Sequence, residues 1–190
     1  MGGEYPGKGG AWCQNELRLV GGTGSLSRGE ITSLPRVDIR LGIIYNTIMR
    51  QHRIVIDTNV VVAALRSKRG ASYQVLMLLG SEKFSIHLSV PLVLEYEDVA
   101  RRMLGEIDLT EQDIDDIVDY ICAVGEAHYL FFLWRPYLKD AKDDMVLELA
   151  ITAGCDFIVT YNQRDFQGAE EFGVEVITPQ QLLEEIGELK

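Results

Sequence analysis

Ile54-Val55-Ile56-Asp57-Thr58-Asn59-Val60 decides the fold. Three β-branched residues in succession suit a strand buried on both faces, the kind found inside parallel sheets. Asp57 ends the run, and Thr58 or Asn59 can cap the helix that continues through Val61-Val62-Ala63-Ala64-Leu65. A buried strand that turns into a helix at an acid is the first half of a strand–helix–strand unit.

The same alternation recurs toward the C-terminus. Ser72 to Leu79 reads as a short helix, and Phe84 to Leu88 as a strand. Ser89, with Pro91 in the favoured first turn, opens a helix through Leu104. Thr110-Glu111-Gln112-Asp113 has capping-box spacing and starts a helix to about Val124. His128 to Leu133 reads as a strand, and Lys142 to Ala153 as a helix stopped by Gly154. Asp156 to Thr160 is another buried strand, Val174 to Ile177 a last short one, and Pro179 opens a closing helix of Gln180 to Ile186. Strands separated by helices pair in parallel through right-handed crossovers, so the expected class is α/β, a three-layer α/β/α fold around a central, mainly parallel sheet.

Toward the N-terminus the pattern dissolves. Residues 1–48 hold 10 of the 18 glycines and show no strand or helix period before roughly Val37. Gly21-Gly22-Thr23-Gly24 has no Gly-Lys-Ser/Thr after it, so it is no phosphate loop. Residues 1–48 are expected to be a flexible extension, Met49 the native start, and 49–190 one domain.

Composition narrows the chemistry. No apolar run approaches the ~20 residues that span a bilayer, so no membrane partner is expected. Cys13, Cys122 and Cys155 have no metal-ligand spacing and cannot all pair, which fits a reducing cytoplasm. The net charge of −11 argues against gripping nucleic acid by general electrostatic attraction. It suits a cluster of carboxylates that holds divalent cations.

Such a cluster can be assembled from four places. In open parallel sheets the chemistry collects beyond the carboxyl ends of the strands, where Asp57 and the segment after Thr160 both lie. Asp57 stands at the rim beside a helix N-terminus that favours an anion, with Thr58 and Asn59 placed to support it. Glu95 flanks the inner face of the helix after Ser89, beside the apolar Leu92, Val93, Leu94 and Val99. Asp140, Asp143 and Asp144 crowd the start of one helix, more acids than capping requires. Asp144 is the first choice for the inward ligand and Asp143 the second. Asn162 and Asp165 follow the strand that ends at Thr160, with Thr160 and Asn162 as further supports, and Arg164 between Asn162 and Asp165 is the best-placed phosphate contact. Ligands that are all oxygen select hard cations, hence Mg²⁺ or Mn²⁺. These ions can activate water and stabilise both oxygens of a phosphodiester displacement.

These residues resemble a known family. Ile54 to Val60 is similar to the opening motif of PIN-domain nucleases; Ser89, Leu92 and Glu95 resemble its second acidic segment. Asp143-Asp144 with Leu147, Leu149 and Ala150 resembles the third, and Ile158-Val159-Thr160 with Asn162 and Asp165-Phe166 the fourth. The resemblance runs from about Arg53 to Thr178. It implies metal-dependent cleavage of single-stranded RNA, with Asp57, Glu95, Asp144 and Asp165 as catalytic acids. It also implies the toxin role of a toxin–antitoxin pair, a small antitoxin partner and a homodimer. One position departs: many members carry Asp two residues after the Thr, where this chain has Asn162, so Asp165 supplies that acid. The departure sustains an alternative reading, a PIN-fold RNA-binding or interaction module with weak or no catalysis. A receiver-like phosphotransferase would want a second Asp two residues after Asp57, where Asn59 stands.

Overall fold

The structure is a computed structural model and describes residues 51–130 and 137–189. The expectations for residues 1–48, for Met49, and for the end of the strand through Leu133 lie outside the described residues.

β1 (His52–Ile56) is followed by α1 (Thr58–Arg66), α2 (Ala71–Met77) and β2 (Phe84–Ser89). Next come α3 (Val90–Arg102), α4 (Glu111–Val124) and β3 (Glu126–His128). The second half holds α5 (Ala141–Ala153), β4 (Phe157–Val159), two 3₁₀ turns (Gln163–Phe166 and Ala169–Phe172), β5 (Glu175–Ile177) and α6 (Pro179–Glu185). The five strands form one all-parallel sheet in the order β3-β2-β1-β4-β5. The fold is α/β and three-layered, as the alternation predicts.

Local chemistry explains the element ends. Thr110 and Asp113 close a reciprocal capping box at α4, and Thr178 and Gln181 do so at α6. Gly154 ends α5 in the left-handed region at φ 61°, which favours glycine. The Arg53 guanidinium holds the last α5 carbonyl, with Nε and Nη2 donating to Ala153 O at 3.1 and 2.8 Å. Ile54, Val55 and Ile56 have no exposed surface. Burial on both faces contributes roughly 1.5–3 kcal/mol for each such side chain.

One strand lies elsewhere than expected. β3 occupies Glu126–His128, so it ends where the sequence places its start. Gly125 accounts for this. A Cβ there would meet the Leu88 side chain at 2.3 Å, so the missing side chain lets the end of α4 pack closely on β2, and the chain pairs with β2 at once.

The topology locates the site. From β1 the chain steps one way to β2 and β3, then returns past β1 to β4 and β5. The direction reverses between β1 and β4, and at such a switch point the crossovers diverge and leave a crevice beyond the strand ends. Asp57 follows β1 and Thr160 follows β4.

Candidate active site

The ends of β1 and β4 are locked together by side chains. Thr160 is fully buried, and its hydroxyl donates to Asp57 Oδ2 at 2.6 Å. That oxygen also accepts from Asn59 Nδ2 at 2.5 Å. Thr160 Oγ1 in turn accepts from Asn59 Nδ2 at 2.9 Å and from the Asn162 amide at 3.0 Å. Asn59 Oδ1 receives the Tyr161 amide at 3.2 Å. Asp57 is thus held by Asn59 and Thr160, both singled out from the sequence as supports. Thr58 acts through its backbone: its amide and that of Asn59 favour the anion. Both side-chain bonds to Asp57 fall on Oδ2, and Oδ1 receives none from a side chain among the described residues.

A supporting residue that the sequence reading passed over lies beneath. Tyr96 is buried on the inner stripe of α3, and its hydroxyl donates to the Ile56 carbonyl, the last of β1. Burial raises its phenol well above the ordinary range, and the charges of Asp57 and Glu95 add to this. A tyrosine among the apolar Leu92, Val93 and Ala100 was the available signal, because a buried phenol needs a partner.

The three acids at the start of α5 divide the work. Asp140 caps the helix, accepting from the Lys142 amide at 2.9 Å. Asp144 Oδ1 accepts the backbone amides of Tyr137 at 3.0 Å and Leu138 at 2.7 Å, so it organises the preceding loop. Asp143 makes no side-chain hydrogen bond among the described residues. Burial pushes its carboxyl up to about 6, and the charges of Asp57, Asp140, Asp165 and Glu95 push in the same direction. The geometry therefore turns the first choice, Asp144, toward the loop and gives the second, Asp143, the shared field.

Glu95 is mostly buried, its side chain 16% exposed, and Oε1 accepts from Lys142 Nζ at 2.8 Å. Asp165 sits on the 3₁₀ turn that Phe166 anchors in the core, its amide donating to Asn162 O at 2.9 Å. The Asn162 and Arg164 side chains are exposed, Arg164 standing beside Asp165 on that turn. Burial raises the Asp57 carboxyl too, with Glu95 adding and the hydrogen bonds from Thr160, Thr58 and Asn59 opposing.

This donor set fits a hard divalent cation. The atoms available to such an ion are carboxylate oxygens that repel one another, and Asp143 and Asp57 have oxygens that no side chain satisfies among the described residues.

Stability should report the same repulsion. The Asp143 carboxyl is held higher in the folded chain than its ordinary 3.8, so the folded state prefers the proton. In the metal-free protein that preference favours folding below about pH 4, and stability is lost as pH rises from there through about 6. The raised Asp57 carboxyl acts in the same sense. Discounted for partial exposure, the Asp143 effect is about 1–2 kcal/mol. Thermal melts in chelator between about pH 4.5 and 7.5 should therefore show Asp143→Asn gaining on the parent as pH rises. Parallel curves for the two proteins would contradict the shared field.

Among the described residues no helix is long and apolar enough to cross a membrane. No curated protein matches the sequence. Over residues 53–164 the chain matches a family model described as PIN domain, a span that takes in Asp57, Glu95 and Asp143 and ends one residue before Asp165.

Proposed function

This chain belongs to the PIN-domain family, and on that premise we propose that it is a Mg²⁺- or Mn²⁺-dependent endoribonuclease that hydrolyses single-stranded RNA. PIN domains are generally metal-dependent nucleases that bind nucleic acid. The observation that carries the reading is Asp57, held at the β1–β4 switch point by Thr160 and Asn59, with Glu95, Asp143 and Asp165 close enough for their charges to interact.

Asp57, Glu95, Asp143 and Asp165 would hold the ion. When bound, it supplies a water nucleophilic at neutral pH and positive charge for the phosphate. The chain's own part is orientation. Thr160 and Asn59 fix Asp57 by its Oδ2, Tyr96 ties the end of β1 to α3, and Lys142 steadies Glu95. Asp144 acts one step back, holding the loop that leads into α5. Arg164 is the candidate contact for a substrate phosphate. In the reaction a water oxygen bonds to phosphorus, a phosphorus–oxygen ester bond breaks, and a proton passes to the departing oxygen.

The cytoplasmic toxin of a toxin–antitoxin pair, with a small antitoxin and a homodimeric state, is the biological setting we propose. Growth arrest on expression, relieved by the product of a neighbouring small gene, would support it.

The activity test uses the full chain and a randomised pool of single-stranded RNA. Cleavage should appear with Mn²⁺ or Mg²⁺, stop on chelation and resume when the metal is restored. Cleavage indifferent to chelator would remove the metal mechanism. RNA binding without cleavage would replace the enzyme with the interaction module that Asn162 suggests.

A further inference from the structure

We propose that His87, Glu126 and His128 form a separate binding site for a borderline transition ion, Zn²⁺ in the first instance, that clips the edge strand β3 to β2. His87 and Glu126 are cross-strand partners in the β2–β3 ladder, and His128 lies two residues further along β3. Side chains two apart share a face, so the parallel register brings three ligand types together that are widely spaced in the sequence. One ligand atom from each lies within 4.8 Å of the other two.

The distances suit an ion with little rearrangement. His87 Nδ1 is 2.8 Å from His128 Nε2 and 3.7 Å from Glu126 Oε2. Two donors bound tetrahedrally at ~2.0–2.1 Å stand roughly 3.3 Å apart, which lies between the two observed separations. Two imidazoles and a carboxylate form a mixed nitrogen–oxygen set that favours Zn²⁺ over Mg²⁺. It differs in kind from the all-oxygen cluster at Asp57.

The surroundings hold the rings for ligation. For Nδ1 of His87 to bind a metal, its proton must sit on Nε2, and Ser85 Oγ lies 3.2 Å from that nitrogen as an acceptor. Ser89 shares the face and is the cross-strand partner of His128. Its Oγ is the one buried side-chain polar atom without a partner among the described residues. An unused acceptor beside a histidine that needs somewhere to direct its outer N–H is what a ligated His128 would employ. His87 is fully buried, so its ring is held in place by the surrounding packing. Glu126, half-exposed on the edge strand, leaves the remaining coordination positions to solvent.

Competition between the full chain and a chromogenic zinc chelator tests this. One Zn²⁺ per chain is expected, retained in Asp57→Asn and lost in His128→Ala and Glu126→Ala, which change exposed or half-exposed side chains. Ser85→Ala should weaken it by roughly 10–100-fold, and zinc should raise the thermal midpoint of the parent but not of His128→Ala. Absence of stoichiometric zinc would overturn the site. So would zinc that survives His128→Ala, or zinc lost only in Asp57→Asn, which would belong to the acid cluster.

Discussion

Asp57→Asn is expected to abolish RNA cleavage, by at least about 10³-fold, while the domain stays folded. The carboxylate is the acid most firmly held, with Thr160 and Asn59 both on Oδ2. An amide there keeps an oxygen for the Thr160 hydroxyl and loses the charge that would attract the ion. The fold should not suffer, because burial already works against the anion at this position. Removing it should leave stability unchanged or raise it by about 1 kcal/mol. Rate and thermal midpoint therefore move independently, and both are measured on one preparation. If the variant keeps its nuclease activity, the acid cluster is not the site. Inactivity accompanied by unfolding would mean only that Asp57 is structural.

The net charge of −11 is reconciled with an anionic substrate by the same site. Five acids gather at or near one edge of the sheet, and Lys142, beside Glu95, supplies one side-chain cation there. A bound divalent ion would invert that local field. Affinity for RNA should then depend on metal more than on the overall charge of the protein.

Local signals made much of the architecture legible. Ile54-Val55-Ile56, the Thr110 capping box and Gly154 each act within a few residues, and the observed elements follow them. β3 lies earlier than the sequence places it because Glu126-Ala127-His128 carries little strand signal of its own, and its pairing with β2 begins directly after Gly125, which packs on Leu88. The sequence prefers Asp144 over Asp143, and the two backbone amides of the loop at 137–138 that bond Asp144 Oδ1 are a tertiary fact that no local pattern carries. His87 and His128 had no spacing to connect them, since their meeting depends on strand register, and a one-residue slip would put them on opposite faces. Helix registry and strand register are set by packing between distant segments. Acids can be nominated from sequence, but their individual tasks follow from that packing.

Asp143 and Asp144 should accordingly separate when changed one at a time. Asp143→Asn removes a carboxylate that no hydrogen bond occupies among the described residues and that shares the field of Asp57, Glu95 and Asp165. Cleavage should fall by at least about 100-fold, with a thermal midpoint no lower than the parent's. Asp144→Ala removes the acceptor of the Tyr137 and Leu138 amides. Two charge-assisted bonds, partly replaced by water, put the cost at about 2 kcal/mol, a midpoint lower by roughly 4–8 °C. Leu138 is buried, so loosening its amide also loosens the loop that delivers α5 to the site, and some activity should go with it. Asp144→Asn keeps an acceptor oxygen and should recover most of that loss, whereas Asp143→Asn has no such rescue. A stable but inactive Asp144→Asn beside an active Asp143→Asn would exchange the two roles and place the metal on the loop side of α5.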